Sequence, residues 1–386
     1  MIIQTILQGI SIGSVLLIVA LGLAIVFGLM GVINLAHGEL VMLGAYTTFV
    51  VQNIFRGFGD SLFDFYIIAA IPCAFIITAL VGLILEKGVI RFLYGRPLET
   101  LLATWGVSLV LRQFVRSVNL SMTIAIVVFC LLFFGCMTYF SRQTHWEQIK
   151  TKFISIILPI SGAIAIVAGI LLNESENRAL TNAWFGPRGV NVTAPSWLRG
   201  GIPIGDFPFP KDRIFIIVLT ILCLLGIYLF LNKSDWGLKI RSVTQNRTMS
   251  SCLGIPTATV DALTFALGSG LAGIAGVGVS LLGSVGPETG QNYIVDAFMV
   301  VVVGGVGNLL GTIIAALSIG IISYLFESNT IGLLLMDQNL PEIVMETVNF
   351  FATSSMAKVL VFMLIIIFLQ IKPAGIFPPK GRTAEL

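Results

Sequence analysis

Most of this sequence is apolar, so the polar side chains set inside its apolar runs are the ones that could do chemistry. They fall at Asn34, His37 and Glu39; at Glu99, Thr100 and Thr104 after Pro97; at Gln291, Asn292 and Asp296; and at Asn308. At membrane depth, Asn, Thr and Gln can hydrogen-bond a neutral solute, while Glu39, Asp296 or His37 could carry a proton or an ion. Structural roles compete with these. Asn34 can cap the helix that holds Glu39, Asn308 can cap the helix after it, and Glu99 sits in the first turn of a helix opened by Pro97, where the dipole favours a carboxylate. Asp296 has no cation near it in sequence. No GxxxxGK[ST], HExxH or CxxC motif occurs, and the GxSxG match at Gly9–Gly13 falls inside the long apolar run from Met1 to Met30, so the chain shows no Walker ATP site and no hydrolytic site is expected.

A second kind of site lies outside the apolar runs. The polar stretch Asn232 to Pro256, NKSDWGLKIRSVTQNRTMSSCLGIP, separates two long apolar segments. Ser242 to Leu253 predicts one short amphipathic helix that places Met249, Cys252 and Leu253 on one side, flanked by Arg241 and Arg247 and stopped at Gly254 and Pro256. A chain needs only a few residues to turn around, so a basic helical connector of this length suits a docking surface for a soluble partner; a connector lying on lipid headgroups is the alternative.

The elements that must position these residues follow from composition. Hydrophobic residues make up 56% of the chain and charged residues 11%, against about a quarter charged in soluble domains, which indicates a polytopic membrane protein and argues against a nucleic-acid partner. Cys73, Cys130, Cys136 and Cys223 lie in apolar runs and Cys252 in the polar stretch, so free thiols and no metal site are expected. Met1 to Met30 is a long apolar run without a basic start or a clear cleavage site and reads as a retained span. Further runs follow at Leu40–Phe55, Phe65–Leu85, Leu98–Leu111, Ser121–Phe140, Phe153–Leu172, Ile214–Leu231, Val260–Leu282, Tyr293–Val303, Leu309–Phe326 and Val359–Ile371. Leu98–Leu111 needs its flanks to cross. Tyr293–Val303 covers about half a bilayer at about 1.5 Å per residue and reads as a broken or re-entrant helix.

Lys and Arg give the orientation. Connectors holding Lys87, Arg91 and Arg96, then Arg142, Lys150 and Lys152, then Lys233, Lys239, Arg241 and Arg247, and a tail with Lys372, Lys380 and Arg382, are expected in the cytoplasm. The acidic stretch Glu327 to Glu346 is then outside, as is the N-terminus. Arg112 and Arg116 break the pattern as an i, i+4 pair suited to capping carbonyls. Small residues spaced by four at Ala266/Gly270, Ser269/Gly273 and Ala272/Gly276 predict close helix packing. Gly31-Val32-Ile33-Asn34-Leu35 echoes Gly305-Val306-Gly307-Asn308-Leu309, a sign of two related halves whose breaks lie near the cytoplasmic end of a path and expose backbone carbonyls to a solute there.

GVINLAHGELVMLGAY at Gly31–Tyr46, RSVTQNRTMSSCLGIPTATVDALTFALGSGLAGIAGV at Arg241–Val277 and GQNYIVDAFMVVVVGGVGNLLGT at Gly290–Thr312 resemble the permease subunits of branched-chain amino acid type ABC importers. RFLYGRPLETLLATWGVSLVLRQ at Arg91–Gln113 and NVTAPSWL at Asn191–Leu198 are similar to the urea-carrying members of that family. The resemblance implies an all-α, multi-pass permease of the bacterial inner membrane with about ten membrane helices, broken or re-entrant segments included. It also implies partners: a second homologous permease, two ATP-binding subunits and an extracytoplasmic substrate-binding protein. No cofactor is implied on this chain. Arg241, Asn246, Arg247, Met249, Cys252, Leu253 and Gly254 correspond to the family's coupling helix. Residues 1–117 and 183–386 read as the two permease halves. Residues 118–182, where the family passes almost directly to an outer loop, read as an inserted helical hairpin around the basic connector Ser141–Lys152. The expected solute is urea, with Asn34, Thr104, Asn292, Asp296 and Asn308 as path residues. A branched-chain amino acid importer, a passive urea or amide channel, and an ion-coupled carrier using Asp296 or Glu39 are the alternatives.

Overall fold

The computed structural model describes residues 2–140, 146–173, 184–185, 189–204, 207–328 and 353–377. The acidic stretch beyond Ser328, the connector residues Ser141–His145 and the basic tail at Lys380 and Arg382 lie outside the described residues. Among the described residues, six helices are long and apolar enough to cross a membrane. The helices are α1 (Ile2–Met30), α2 (His37–Gly57), α3 (Asp60–Phe63), α4 (Tyr66–Gly88), α5 (Pro97–Ser117), α6 (Leu120–Phe140), α7 (Trp146–Asn173), α8 (Lys211–Lys233), α9 (Asp235–Gln245), α10 (Arg247–Cys252), α11 (Thr257–Leu282), α12 (Thr289–Gly304), α13 (Leu309–Glu327) and α14 (Ser354–Ile371). One antiparallel hairpin, β1 (Gly201–Ile204) with β2 (Phe207–Pro210), precedes α8.

The chain forms two compact units, residues 1–109 with 190–386, and residues 110–189. In the smaller unit α6 and α7 pack on each other. In the larger, α11 is the central helix, in contact with α4, α2 and α1, while α1 also runs along α13 and α12. The small residues explain why. In hydrocarbon no hydrophobic force drives helices together, so contact area has to come from close approach. Gly273 of α11 meets Ala74 and Thr78 of α4, Gly276 meets Val41 and Ala45 of α2, and Gly268 meets Gly22 of α1. The spacing in α11 is helix packing, as the sequence suggested.

Two short runs stand out in the sequence. α5 extends to 21 residues, because Leu98–Leu111 is continued at helical pitch through polar Arg112, Gln113 and Arg116, which hydropathy discounts and a helix does not. Within α5, Glu99 pairs with Arg96 at 3.1 Å on the exposed face, so its charge meets a cation there. α12 is short as expected, with 16 residues, about 24 Å at 1.5 Å per residue.

The loop before β1 is tied to the connector between α3 and α4. Asp64 accepts from the Ser196 amide at 2.7 Å and from its hydroxyl, and Trp197 Nε1 donates to the Asp64 carbonyl at 2.9 Å. Tyr66 donates to the Thr193 carbonyl at 2.9 Å, and the Thr193 amide donates to Gln52 Oε1 at 3.2 Å. The Ser196 hydrogen bonds hold the Asp64 carboxyl below its usual value. A depressed folded value means this tie is fully present above the unfolded carboxylate pKa of about 3.9 and is lost as pH falls through the folded one. With Trp197 kept as the sole tryptophan, its fluorescence should shift in acid, and Asp64→Asn should abolish that transition. Gly276→Leu should force α2 off α11 and cost about 1–3 kcal/mol, read as a lower thermal midpoint in detergent.

Candidate functional site

The polar residues expected along a path fall into three places. The first is the turn from α1 into α2. Residues Gly31–Leu35 leave helical geometry, and α2 begins beside the middle of α1, where His37 Nε2 meets the Val19 carbonyl at 3.1 Å. A carbonyl only accepts, so Nε2 carries a proton and donates. Asn34 Oδ1 accepts from the Ala36 amide at 3.0 Å, and Thr104 Oγ1 accepts from the Leu35 amide at 3.2 Å. Ser108 donates to Glu39 at 2.9 Å. Asn34, His37, Glu39, Thr104 and Ser108 are all buried. The structure thus brings Asn34 and Thr104 together as the pair that holds this turn. Asn34 Nδ2 and His37 Nδ1 remain without a hydrogen-bond partner among the described residues.

The second place is the break between α12 and α13. Gly305 and Gly307 have φ of 97° and 82°, a left-handed backbone that a side chain would strain. Asn308 caps α13, its Oδ1 accepting from the Gly311 amide at 3.2 Å. The sequence suggested that this break frees carbonyls for a solute. Instead the C-terminal segment takes them, with Ile376 N donating to the Val303 carbonyl at 2.8 Å and Phe377 N to that of Gly304 at 3.4 Å. The echo with residues 31–35 has a spatial counterpart, since Gly28 at the end of α1 adjoins Gly307. The third place is a cavity beside α12 lined by Asn292 and Asp296 together with Arg213 and Lys358. Sequence reasoning missed the last two because they stand at the starts of distant helices, α8 and α14.

The polar stretch differs from its expected form. The predicted single helix Ser242–Leu253 is two, α9 and α10, because Asn246 leaves helical geometry (φ −151°, ψ 98°) and caps α10 by accepting from the Met249 amide at 2.9 Å. Ser234 caps α9 in the same way. α10 ends in a Schellman turn. Ile255 N donates to the Ser250 carbonyl and Gly254 N to that of Ser251, both at 3.0 Å, around Gly254 at φ 82°. The two turns leave Met249, Cys252 and Leu253 exposed on a very short helix, with Leu253 at 75%.

The arginines flanking this face are engaged. Arg241 donates to Asn232 Oδ1 at 3.1 Å. Arg247 donates to Asp261 Oδ2 at 2.5 Å and lies over the Tyr94 ring at 5.3 Å. Tyr94 in turn donates to Glu86 Oε1 at 3.2 Å. Burial, then the negative charge of Asp261 and Glu86, pushes the Tyr94 hydroxyl well above its ordinary value, so it stays a donor. Arg247 therefore ties α10 to α4 and to the central helix α11.

The family described as "Branched-chain amino acid transport system / permease component" matches residues 5–369. The chain is a member of that permease family. Among its relatives, the high-affinity branched-chain amino acid transport system permease protein BraD of Pseudomonas aeruginosa is 26% identical over 320 residues, 82% of this chain and 84% of that protein. LivH of Escherichia coli, with the same description, is 25% identical, covering 82% and 83%. The autoinducer 2 import system permease protein LsrD of Yersinia enterocolitica is 27% identical over 43% of this chain and 58% of its own length. No solved structure matches the chain. The permease is a transport component and not an enzyme.

Asp261 is almost fully buried while Arg247 is half exposed. Arg247→Met should therefore strand a buried carboxylate and cost up to about 3 kcal/mol, whereas adding Asp261→Leu should restore most of the loss. Thermal unfolding of the permease in detergent reads both effects. Protease sensitivity of residues 232–256 should rise in the single variant alone.

Proposed function

We propose that this permease is the membrane subunit of an ATP-driven importer, driven by ATP-binding subunits on separate chains and supplied by an extracytoplasmic binding protein. One observation carries the reading. The chain has no phosphate loop of its own, yet its polar stretch presents Met249, Cys252 and Leu253 on a capped, stopped helix that Arg247 ties to the central helix α11. A partner pressing on α10 would move α11 directly. The Lys and Arg distribution supports α9 and α10 in the cytoplasm, the N-terminus outside and the C-terminus cytoplasmic. A second, homologous permease is proposed to complete the path.

The substrate we infer is urea. The phrases at Arg91–Gln113 and Asn191–Leu198 support it, and a neutral amide needs donors and acceptors of the Asn and Thr kind. The names of BraD and LivH favour a second reading, branched-chain amino acids. So does the meeting of Asp296 with Arg213 and Lys358 against Val15, Val361 and Phe362, which suits an ammonium, a carboxylate and an aliphatic side chain together.

Uptake of labelled urea and labelled leucine by cells expressing the permease with its genomic partners separates the readings. Urea uptake that stops in a hydrolysis-dead ATPase variant is the expected result. Leucine uptake alone replaces the substrate, and uptake that ignores ATP hydrolysis points to a passive channel. Met249→Asp changes an exposed side chain, so the protein should fold normally while uptake falls about tenfold or more, the loss of a buried apolar contact and the burial of a charge. Normal uptake in that variant removes the docking face.

A further inference from the structure

Beside α12, the helices α1, α8, α13 and α14 leave a space that Asn292, Tyr293, Asp296 and Met299 of α12 also line. A cavity of about 360 Å³ occupies that space. Ligand sites begin at about 300 Å³, and this one combines an apolar wall with a few polar groups. Val15 and Leu16 of α1 and Val361 and Phe362 of α14 supply the wall. Arg213 at the start of α8, Lys358 at the start of α14, Glu327 at the end of α13 and Asp296 within α12 supply the charges. The two cations and two carboxylates balance.

The pairing inside this set is incomplete. Arg213 Nη1 is buried with no hydrogen-bond partner among the described residues. A guanidinium nitrogen withdrawn from water and left unpaired is costly, which points to an acceptor that arrives from elsewhere. Asp296, the acceptor on the facing helix, feels the charge of Lys358, and no ion pair between them is formed. Tyr293 lines the same cavity and feels the charges of both Asp296 and Arg213.

We propose that this cavity receives the imported solute, holding a small, overall neutral molecule that offers N–H groups to Asp296 and a carbonyl or carboxylate oxygen to Arg213. The assignment rests on the importer reading. Urea meets both demands with one carbonyl and two amide groups. A leucine zwitterion meets them with its two charges and lays its side chain on Val361 and Phe362. The balanced charge is the selective element, since a net anion or cation would leave one carboxylate or one cation facing a like charge.

Ser323 lines the same cavity and reports on occupancy without belonging to the polar set. In the assembled complex, Ser323→Cys should react with a small methanethiosulfonate reagent added from the outer side, the site mapped by mass spectrometry. Saturating urea should slow that reaction about fivefold or more by occupying the space; protection by leucine and not by urea keeps the site and changes the solute. Asp296→Asn should raise the half-saturation constant for uptake about tenfold at unchanged complex abundance, the worth of a hydrogen bond to a charged group. Arg213→Lys, which keeps charge and loses the fork, should raise it less than Arg213→Gln. A complex that imports urea or leucine while neither protects residue 323 overturns the cavity and leaves the importer reading standing. So does an unreactive residue 323, which means that lipid or a partner helix fills the space. Absent uptake of both solutes by the unmodified complex fails the importer reading, and protection is then scored on its own.

Discussion

Hydrocarbon offers a backbone no hydrogen bonds, so every N–H and C=O that leaves a helix inside the membrane must find its partner in the protein. The two breaks of this permease are organised by that requirement. At residues 31–36 the chain leaves α1 and starts α2 beside the middle of α1, and the freed amides of Leu35 and Ala36 go to Thr104 and Asn34. Between α12 and α13, Asn308 takes the amide of Gly311, and the C-terminal segment fills the carbonyls of Val303 and Gly304. Polar residues that look like a solute path in the sequence are here partly the cost of breaking a helix in lipid.

The charged groups available for transport lie elsewhere, along α12. Charged residues from the ends of neighbouring helices line a cavity that runs along α12 from Asn292 to Met299. Arg213 and Lys358 begin α8 and α14, so their side chains lie near one end of the span while Asp296 lies deeper.

Close helix approach connects these features to the polar stretch. α11 runs from the turn after α10 through contacts with α4, α2 and α1, and glycine or serine at each crossing lets backbones touch. Interfaces packed this way shift as units and do not yield locally. The Arg247–Asp261 pair sits where α10 joins this bundle, with Tyr94 and Glu86 anchoring it to α4. A load on α10 enters the bundle through its central helix.

Local chemistry determined much of this in advance. Apolar runs placed the spanning helices, Gly254 and Asn308 marked a stop and a cap that the backbone realises, and a run too short to span announced α12, because each signal acts within a few residues. The break at Asn246 was hidden inside an amphipathic pattern, since a cap in mid-pattern looks like any polar residue on a helix face. The length of α5 was hidden because hydropathy discounts Arg112 and Arg116. What only the tertiary structure decided is which distant groups meet: Arg247 with Asp261, Thr104 with Leu35, and Arg213 and Lys358 with Asp296. Those meetings depend on which helices lie side by side and in what register, and the packing of small residues on α11 and α1 sets that over separations no sequence window spans.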